Sequence, residues 1–302
     1  MKSFTELRNL YGSLTNNSDS TNLTLGDQLI NDNTRLICEA RPWYFLEKTK
    51  TASTVASQQG YTLPFDYKKL IDVTVTIGTY KYTPKECPSR EYWDYINAST
   101  TSESDTPLYY FVFNGQLNFW PIPSSSTSNA ITYSYIRAFR NMSVADYTTG
   151  TVDAVTGTTV TGSGTTWASP MAGRYLRIDP TNVATSSGDG MWYEISTVGS
   201  STSITLSVSY NGTALSSGAA ATYTIGDMPI LPEAYQVLPV YRACEFYFST
   251  KTEDLNRAQY FKRLYDEGMA GMIAFYGRKT SNVVIGSTDF PVQNPNSYIT
   301  LT

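Results

Sequence analysis

Four carboxylates lie near an aromatic run in the first third of the chain: Asp66, Asp72, Glu86 and Glu91, beside Tyr92, Trp93 and Tyr95. Two carboxyls held about 5–10 Å apart are the machinery of a glycosidase. Such a pair works only when its surroundings drive the two pKa values apart. Nothing local does so here, and solvated surface acids are the simpler reading. The segment 161–167, TGSGTTW, contains Gly162 and Gly164. No Lys-Ser/Thr follows it and its setting is strand-like, so it fits neither the phosphate-binding loop nor the dinucleotide fingerprint. Its glycines serve turns. The chain has 0 histidines, which removes Ser-His-Asp and Cys-His nucleophiles, most zinc sites and the facial-triad iron sites. Cys38, Cys87 and Cys244 are odd in number and far apart, without a CxxC pair, and read as reduced thiols. No catalytic, cofactor-binding or metal-binding residue is assigned, and no cofactor is expected. The 24 tyrosines and 5 tryptophans could build a sugar-stacking platform. They could equally fill strand cores and subunit interfaces, with the hydroxyl reaching water. Tyr109, Tyr110, Phe111 and Phe113, in a hairpin pattern, favour the second use.

The elements that must position these groups follow from composition and periodicity. The chain of 302 residues is 41% apolar and 16% charged, the balance of a globular protein rather than a disordered one. A net charge of −4 and the absence of a Lys/Arg run argue against gripping nucleic-acid phosphates. Passive contact with DNA stays open. The first residues lack the apolar core of a signal peptide, and no stretch approaches the ~20 apolar residues of a membrane span. A soluble chain that keeps its N-terminus is expected.

Three zones differ in pattern. The first opens with a helical repeat at Phe4, Leu7 and Leu10. A second helix is marked by Thr24 and Asp27 in capping-box spacing and by a face of Leu25, Leu29, Leu36 and Ala40; Pro42 stops it. Strands follow: VTVTI at 73–77, a hairpin about Asn114-Gly115, and AITYSYIRAF with Ile131, Tyr133 and Tyr135 on one side. The second zone, 144–227, has Arg174 and Arg177 as its only cations and many Gly, Ser and Thr. It reads as an inserted small all-β domain, a barrel or sandwich of about five or six strands. Trp167, Tyr175, Trp192 and Tyr193 are its candidate core aromatics. The third zone is a helical pair. Val237, Tyr241, Cys244 and Phe248 mark one helix; Phe261, Leu264, Gly268, Met272 and Phe275 mark the other. Pro239 begins or kinks the first. Gly268 and Gly271 imply close packing or a helix end near 270. Arg257, Lys262, Arg263, Asp266 and Glu267 could set a subunit interface, although exposed pairs contribute only about 0–1 kcal/mol each. Residues 278–302 carry two prolines and little that could form a core.

These segments resemble the adaptor, connector or head-completion proteins of tailed bacteriophages. The resembling stretches are SFTELRNLYGSLTNN, LGDQLINDNTRLICEARPWYFLEKT, the run from Tyr61 to Asn97, NGQLNFWPIP, and MPILPEAYQVLPVYRACEFYFS. The resemblance implies a structural protein and not an enzyme. It implies a helical core, a β-hairpin region and a C-terminal extension; compact members lack an insert like 144–227, and with that all-β insert the expected fold is α+β, ending in an extended C-terminal tail. The corresponding divisions are 1–143, 144–227, 228–277 and 278–302. It further implies a homo-oligomeric ring of twelvefold symmetry below the portal protein, in the virion neck. A tail or nozzle protein would lie beyond it, with genomic DNA in the lumen. The tail would dock on the portal by strand addition through Asn282, Val283, Val284, Ile285, Phe290 and Val292, or fold back on its own subunit. The alternative is a carbohydrate-binding module of a tail fibre or tailspike.

Overall fold

A computed structural model describes residues 1–98, 106–143, 145–180 and 188–277, and the fold is mixed α+β. Helix α1 (Phe4–Thr15) begins in a full capping box. Ser3 Oγ accepts from the Glu6 amide at 3.2 Å, and the Glu6 carboxylate accepts from the Ser3 amide at 2.8 Å. Asn16, at φ 50°, closes it in the left-handed conformation. Helix α2 (Ser20–Glu39) starts earlier than its sequence pattern suggests. Asp19 caps it by accepting from the Asn22 amide at 2.9 Å, whereas the Thr24 hydroxyl donates to the Ser20 carbonyl inside the helix. Its buried face is Asn22, Gly26, Ile30, Thr34, Ile37 and Cys38, and Leu36 is 62% exposed. The expected leucine face is therefore rotated. Contact with α1 decides this. A Cβ on Gly26 would lie 2.4 Å from Tyr11 Cδ1, so only glycine lets that ring in, and the Tyr11 hydroxyl donates to Asn22 Oδ1 at 3.1 Å. The helix ends before Pro42, as proline sterics require.

Two four-stranded sheets follow. One has the order β1 (Glu47–Ala52), β8 (Ile131–Arg137), β3 (Tyr67–Ile77), β4 (Tyr80–Tyr82). The other has β2 (Gly60–Thr62), β7 (Gln116–Trp120), β6 (Tyr109–Phe113), β5 (Lys85–Glu86). Val73, Val75, Ile131, Tyr133 and Tyr135 of the first pack with Tyr61, Leu117 and Phe119 of the second. The β6–β7 turn holds Asn114 at φ 52° and Gly115 at φ 70°, the two positive values a tight hairpin turn needs. The aromatic run at Tyr92–Tyr95 belongs to a helix, α3 (Arg90–Ala98). It buries Trp93 and Ile96, and Trp93 stacks on Phe111 with centroids 5.6 Å apart.

Six strands form a third sheet: β14 (Tyr223–Gly226), β11 (Tyr175–Ile178), β12 (Trp192–Ser200), β13 (Ser203–Leu206), β10 (Thr159–Ser163) and β9 (Thr151–Thr156), in that order. Single bridges Tyr147–Ile225, Val152–Ala221 and Val155–Leu215 bring its two edges toward each other, so the sheet curls around one core. Side chains alternate across a strand. Leu176 and Ile178 therefore face in while Tyr175 and Arg177 face out, and Tyr193 and Ile195 face in while Trp192 and Glu194 face out. Of the four candidate core aromatics, Trp167 and Tyr193 are buried. Trp192 instead lies under the Arg177 guanidinium, 5.7 Å from its ring, and Tyr175 faces the rest of the molecule.

Helices α4 (Leu238–Thr250) and α5 (Leu255–Tyr276) complete the body. Pro239 sits in the first turn of α4, where its missing N–H costs nothing. Cys244 and Phe248 are buried against α1, while Val237 and Tyr241 are half-buried. Gly268 is a close-packing site: a Cβ there would meet Leu238 Cδ2 at 2.3 Å. The helix runs on to Tyr276 instead of ending near 270, and Phe275 is 80% exposed rather than part of the packed stripe.

Candidate interaction surfaces

Two groups of charged side chains stand out, one exposed and one at a junction. The exposed group is on α5. Over 22 residues this helix buries only Ala258, Phe261 and Met272. The five residues singled out for an interface all lie on its solvent side. They pair along the helix: Arg257 with Asp254 at 3.4 Å, Lys262 with Asp266 at 2.5 Å, and Arg263 with Glu267 at 3.7 Å. The bond to Asp266 holds the Lys262 ammonium above its ordinary pKa. Arg257 also lies 5.4 Å from the Phe248 ring, and Arg263 lies 5.7 Å from that of Tyr260. Tyr260 and Phe275 add exposed aromatic surface.

The second group joins the curled sheet to the body. Lys48 on β1 meets Glu194 on β12 at 2.8 Å. Arg137 on β8 meets Asp66 at 3.3 Å and Glu194 at 3.6 Å. The Tyr135 hydroxyl donates to Asp66 Oδ1 at 2.8 Å. Burial works against the charged guanidinium of Arg137, but Glu194, Tyr175 and Asp66 together hold its pKa above the usual arginine value. Burial, then the charge of Glu194, raises the Tyr175 hydroxyl. Beside the chain crossing, buried Asp227 takes Arg140 at 3.1 Å and Arg174 at 3.2 Å on one oxygen, and accepts from the Ser143 amide at 2.6 Å on the other. Sequence reasoning missed this group because its members are scattered from residue 48 to residue 227. The one available signal was Arg174 in a stretch almost free of cations.

Of the four carboxylates near the aromatic run, Asp66 is thus a structural counter-ion, while Asp72, Glu86 and Glu91 are exposed. Burial, then the charge of Glu86, pushes the Tyr110 hydroxyl up to about 12. Among the described residues, no group of three or more His, Cys, Asp or Glu is arranged to hold a metal. No described helix is long and apolar enough to cross a membrane. Asn282, Val283, Val284, Ile285, Phe290 and Val292 lie outside the described residues, which end at Gly277, bridged to Trp43.

A family model described as SU10 adaptor protein matches residues 2–155, just over half of the chain, and the chain belongs to that family. This makes it a phage adaptor, a structural protein that interacts with other virion components. The match ends within β9, so α4, α5 and most of the curled sheet lie beyond it. Among curated proteins none is recognisably similar to the chain.

Proposed function

We propose that this chain is a head–tail adaptor that acts without catalysis: a subunit of a ring below the portal, connecting capsid to tail and surrounding the DNA passage. The family match carries the reading. The geometry that supports it is α5, a long helix with one face packed on α4 and the other unpartnered among the described residues. A ring contact is heterologous, one patch meeting a different patch until rotation closes it. Fixed charges such as Arg263 and Asp266 would set register more than affinity. Segment 278–302 would dock on the portal through Val283, Ile285 and Phe290. The curled sheet, 144–227, would be a separately folding unit on the outer wall.

Electron microscopy of the purified protein mixed with portal tests the reading. Rings or portal-capped complexes are expected; particles that stay monomeric beside bare portal would remove it. Truncation after Gly277 should abolish capping, and full capping by the truncated chain refutes the docking segment. Replacing 144–225 with a short Gly/Ser bridge should leave the helical circular dichroism intact. This deletion should retain Asp227, whose carbonyl accepts from the Phe4 amide at 2.8 Å and helps to seat α1. The carbohydrate-binding alternative is favoured by the exposure of Tyr95 on α3 and of Phe113 beside that helix; binding on a glycan array without portal capping would establish it.

A further inference from the structure

Ion pairs join the curled sheet to the body, and the sheet's buried apolar cluster contains no side chain of the body. The Phe65 ring of the body lies against Gly173 of the sheet, where a Cβ would come within 2.9 Å of Cζ. The ring is otherwise 68% exposed. Between the two parts lies a cleft of about 250 Å³, lined by Lys48, Lys50, Phe65, Asp66, Tyr135 and Glu194 among others. An interface of this kind is not closed by hydrophobic burial. Polar interfaces within a chain are those across which relative motion is expected.

The two ionic groups differ in what reinforces them. At the neck, incoming and outgoing chains are tied to each other. The Tyr147 and Ile225 backbones exchange hydrogen bonds, each at 2.8 Å, and Asp227 binds the Ser143 amide. Its side chain is 7% exposed and that of Arg174 is 13% exposed. Across the cleft the ties run between side chains alone: Glu194, 17% exposed, meets Lys48, 34% exposed, and Arg137, 16% exposed, and the Tyr175 hydroxyl also pairs with Arg137. Glu194 faces Lys48 and Arg137, and those cations keep Asp66 as a second partner. Withdrawing Glu194 leaves Lys48 and Arg137 sharing Asp66 as counter-ion, whereas opening the neck would part buried Asp227 from Arg140 of the body or from Arg174 of the sheet.

We propose that the curled sheet is a hinged arm: Glu194 is the latch that holds it closed against Lys48 and Arg137, and the neck at Asp227 is the pivot on which it swings when the latch opens. The arm then has two positions whose balance is set by a partly solvated ion pair, and so by ionic strength. This goes beyond the adaptor reading and does not depend on ring formation.

The test uses the full chain with nitroxide labels at Thr51→Cys and Ser207→Cys, two exposed positions on opposite sides of the cleft; Cys38, Cys87 and Cys244 are buried. Pulsed electron resonance at low salt should show one narrow distance. Glu194→Gln should raise the population of a longer distance about fivefold, with helical and β-sheet circular dichroism unchanged. Raising salt to about 1 M, where screening acts within ~3 Å, should do the same in the chain with Glu194 intact. A Glu194→Gln distribution superimposable on that of the intact latch overturns the proposal. If that variant fails to fold, the salt series decides: a longer-distance population that grows supports the latch, and a flat series overturns it.

Discussion

The charges on α5 and the charges at the junction use the same residue types for opposite purposes. On α5 the pairs are local, three or four residues apart, and the side chains are half or more exposed at Lys262, Arg263, Asp266 and Glu267. Each group there would be nearly as comfortable in water alone. At the junction the partners come from distant parts of the chain: Lys48 with Glu194, Arg140 and Arg174 with Asp227. At Asp227 the alternative to pairing is a buried, uncompensated charge, so that tie is strong against truncation even where its net contribution is small. The lesson is that charge density along a helix marks its solvent-facing side. Charges that hold a molecule together are found by burial instead.

The sharpest way to break this contrast is Asp227→Ala. It leaves Arg140, Arg174 and the Ser143 amide without their shared partner, and should cost about 3–5 kcal/mol in chemical denaturation. A loss below about 1 kcal/mol would mean that water replaces the carboxylate and the neck is not a clasp. A smaller effect is expected at Asp146, beside it on the incoming chain. Burial raises its pKa above the ordinary aspartate value, opposed by the Thr5 hydrogen bond and Arg174. Because the folded form binds the proton more tightly than the unfolded chain, its contribution falls as pH rises from the ordinary aspartate value through the raised one. Asp146→Asn should flatten that part of the stability–pH curve and raise stability at neutral pH by less than about 1 kcal/mol, the side chain being partly solvated. An unchanged slope would show that the carboxylate is better paired than its surroundings suggest. The smallest effect on the isolated subunit belongs to α5. Arg263→Glu and Asp266→Arg, made singly, should leave the unfolding midpoint where it was and still reduce virion yield. Normal yield from both would remove this face from the ring contact.

Much of this was legible in the residues. Phe4 and Leu7 mark the buried side of α1, Pro42 bounds α2, Asn114-Gly115 makes the hairpin and Pro239 opens α4, because periodicity, proline sterics and positive φ act over a few residues and need no partner elsewhere. The period-two pattern correctly put Ile131, Tyr133 and Tyr135 on one face. It could also have separated Tyr193 from Trp192, had the choice of core aromatics followed alternation rather than size. The family resemblance rested on phrases from 3 to 123 and from 228 to 249, and the family match covers the first stretch and not the second.

What the chain could not disclose by itself depends on which surfaces meet. The buried face of α2 carries Asn22, Gly26 and Thr34 in place of Leu36, because α1 crosses where Tyr11 needs a gap and an acceptor. A long α5 through Gly268 and Gly271 was set by the packing of Leu238 into the first of them. The ionic junction from Lys48 to Asp227 exists only once the curled sheet is placed against β1 and β8. Local propensities determine where elements begin, end and turn, since their causes lie within about one helical turn. Only tertiary contact decides which face is buried and which charges are paired, since those energies belong to pairs of residues that the sequence keeps far apart.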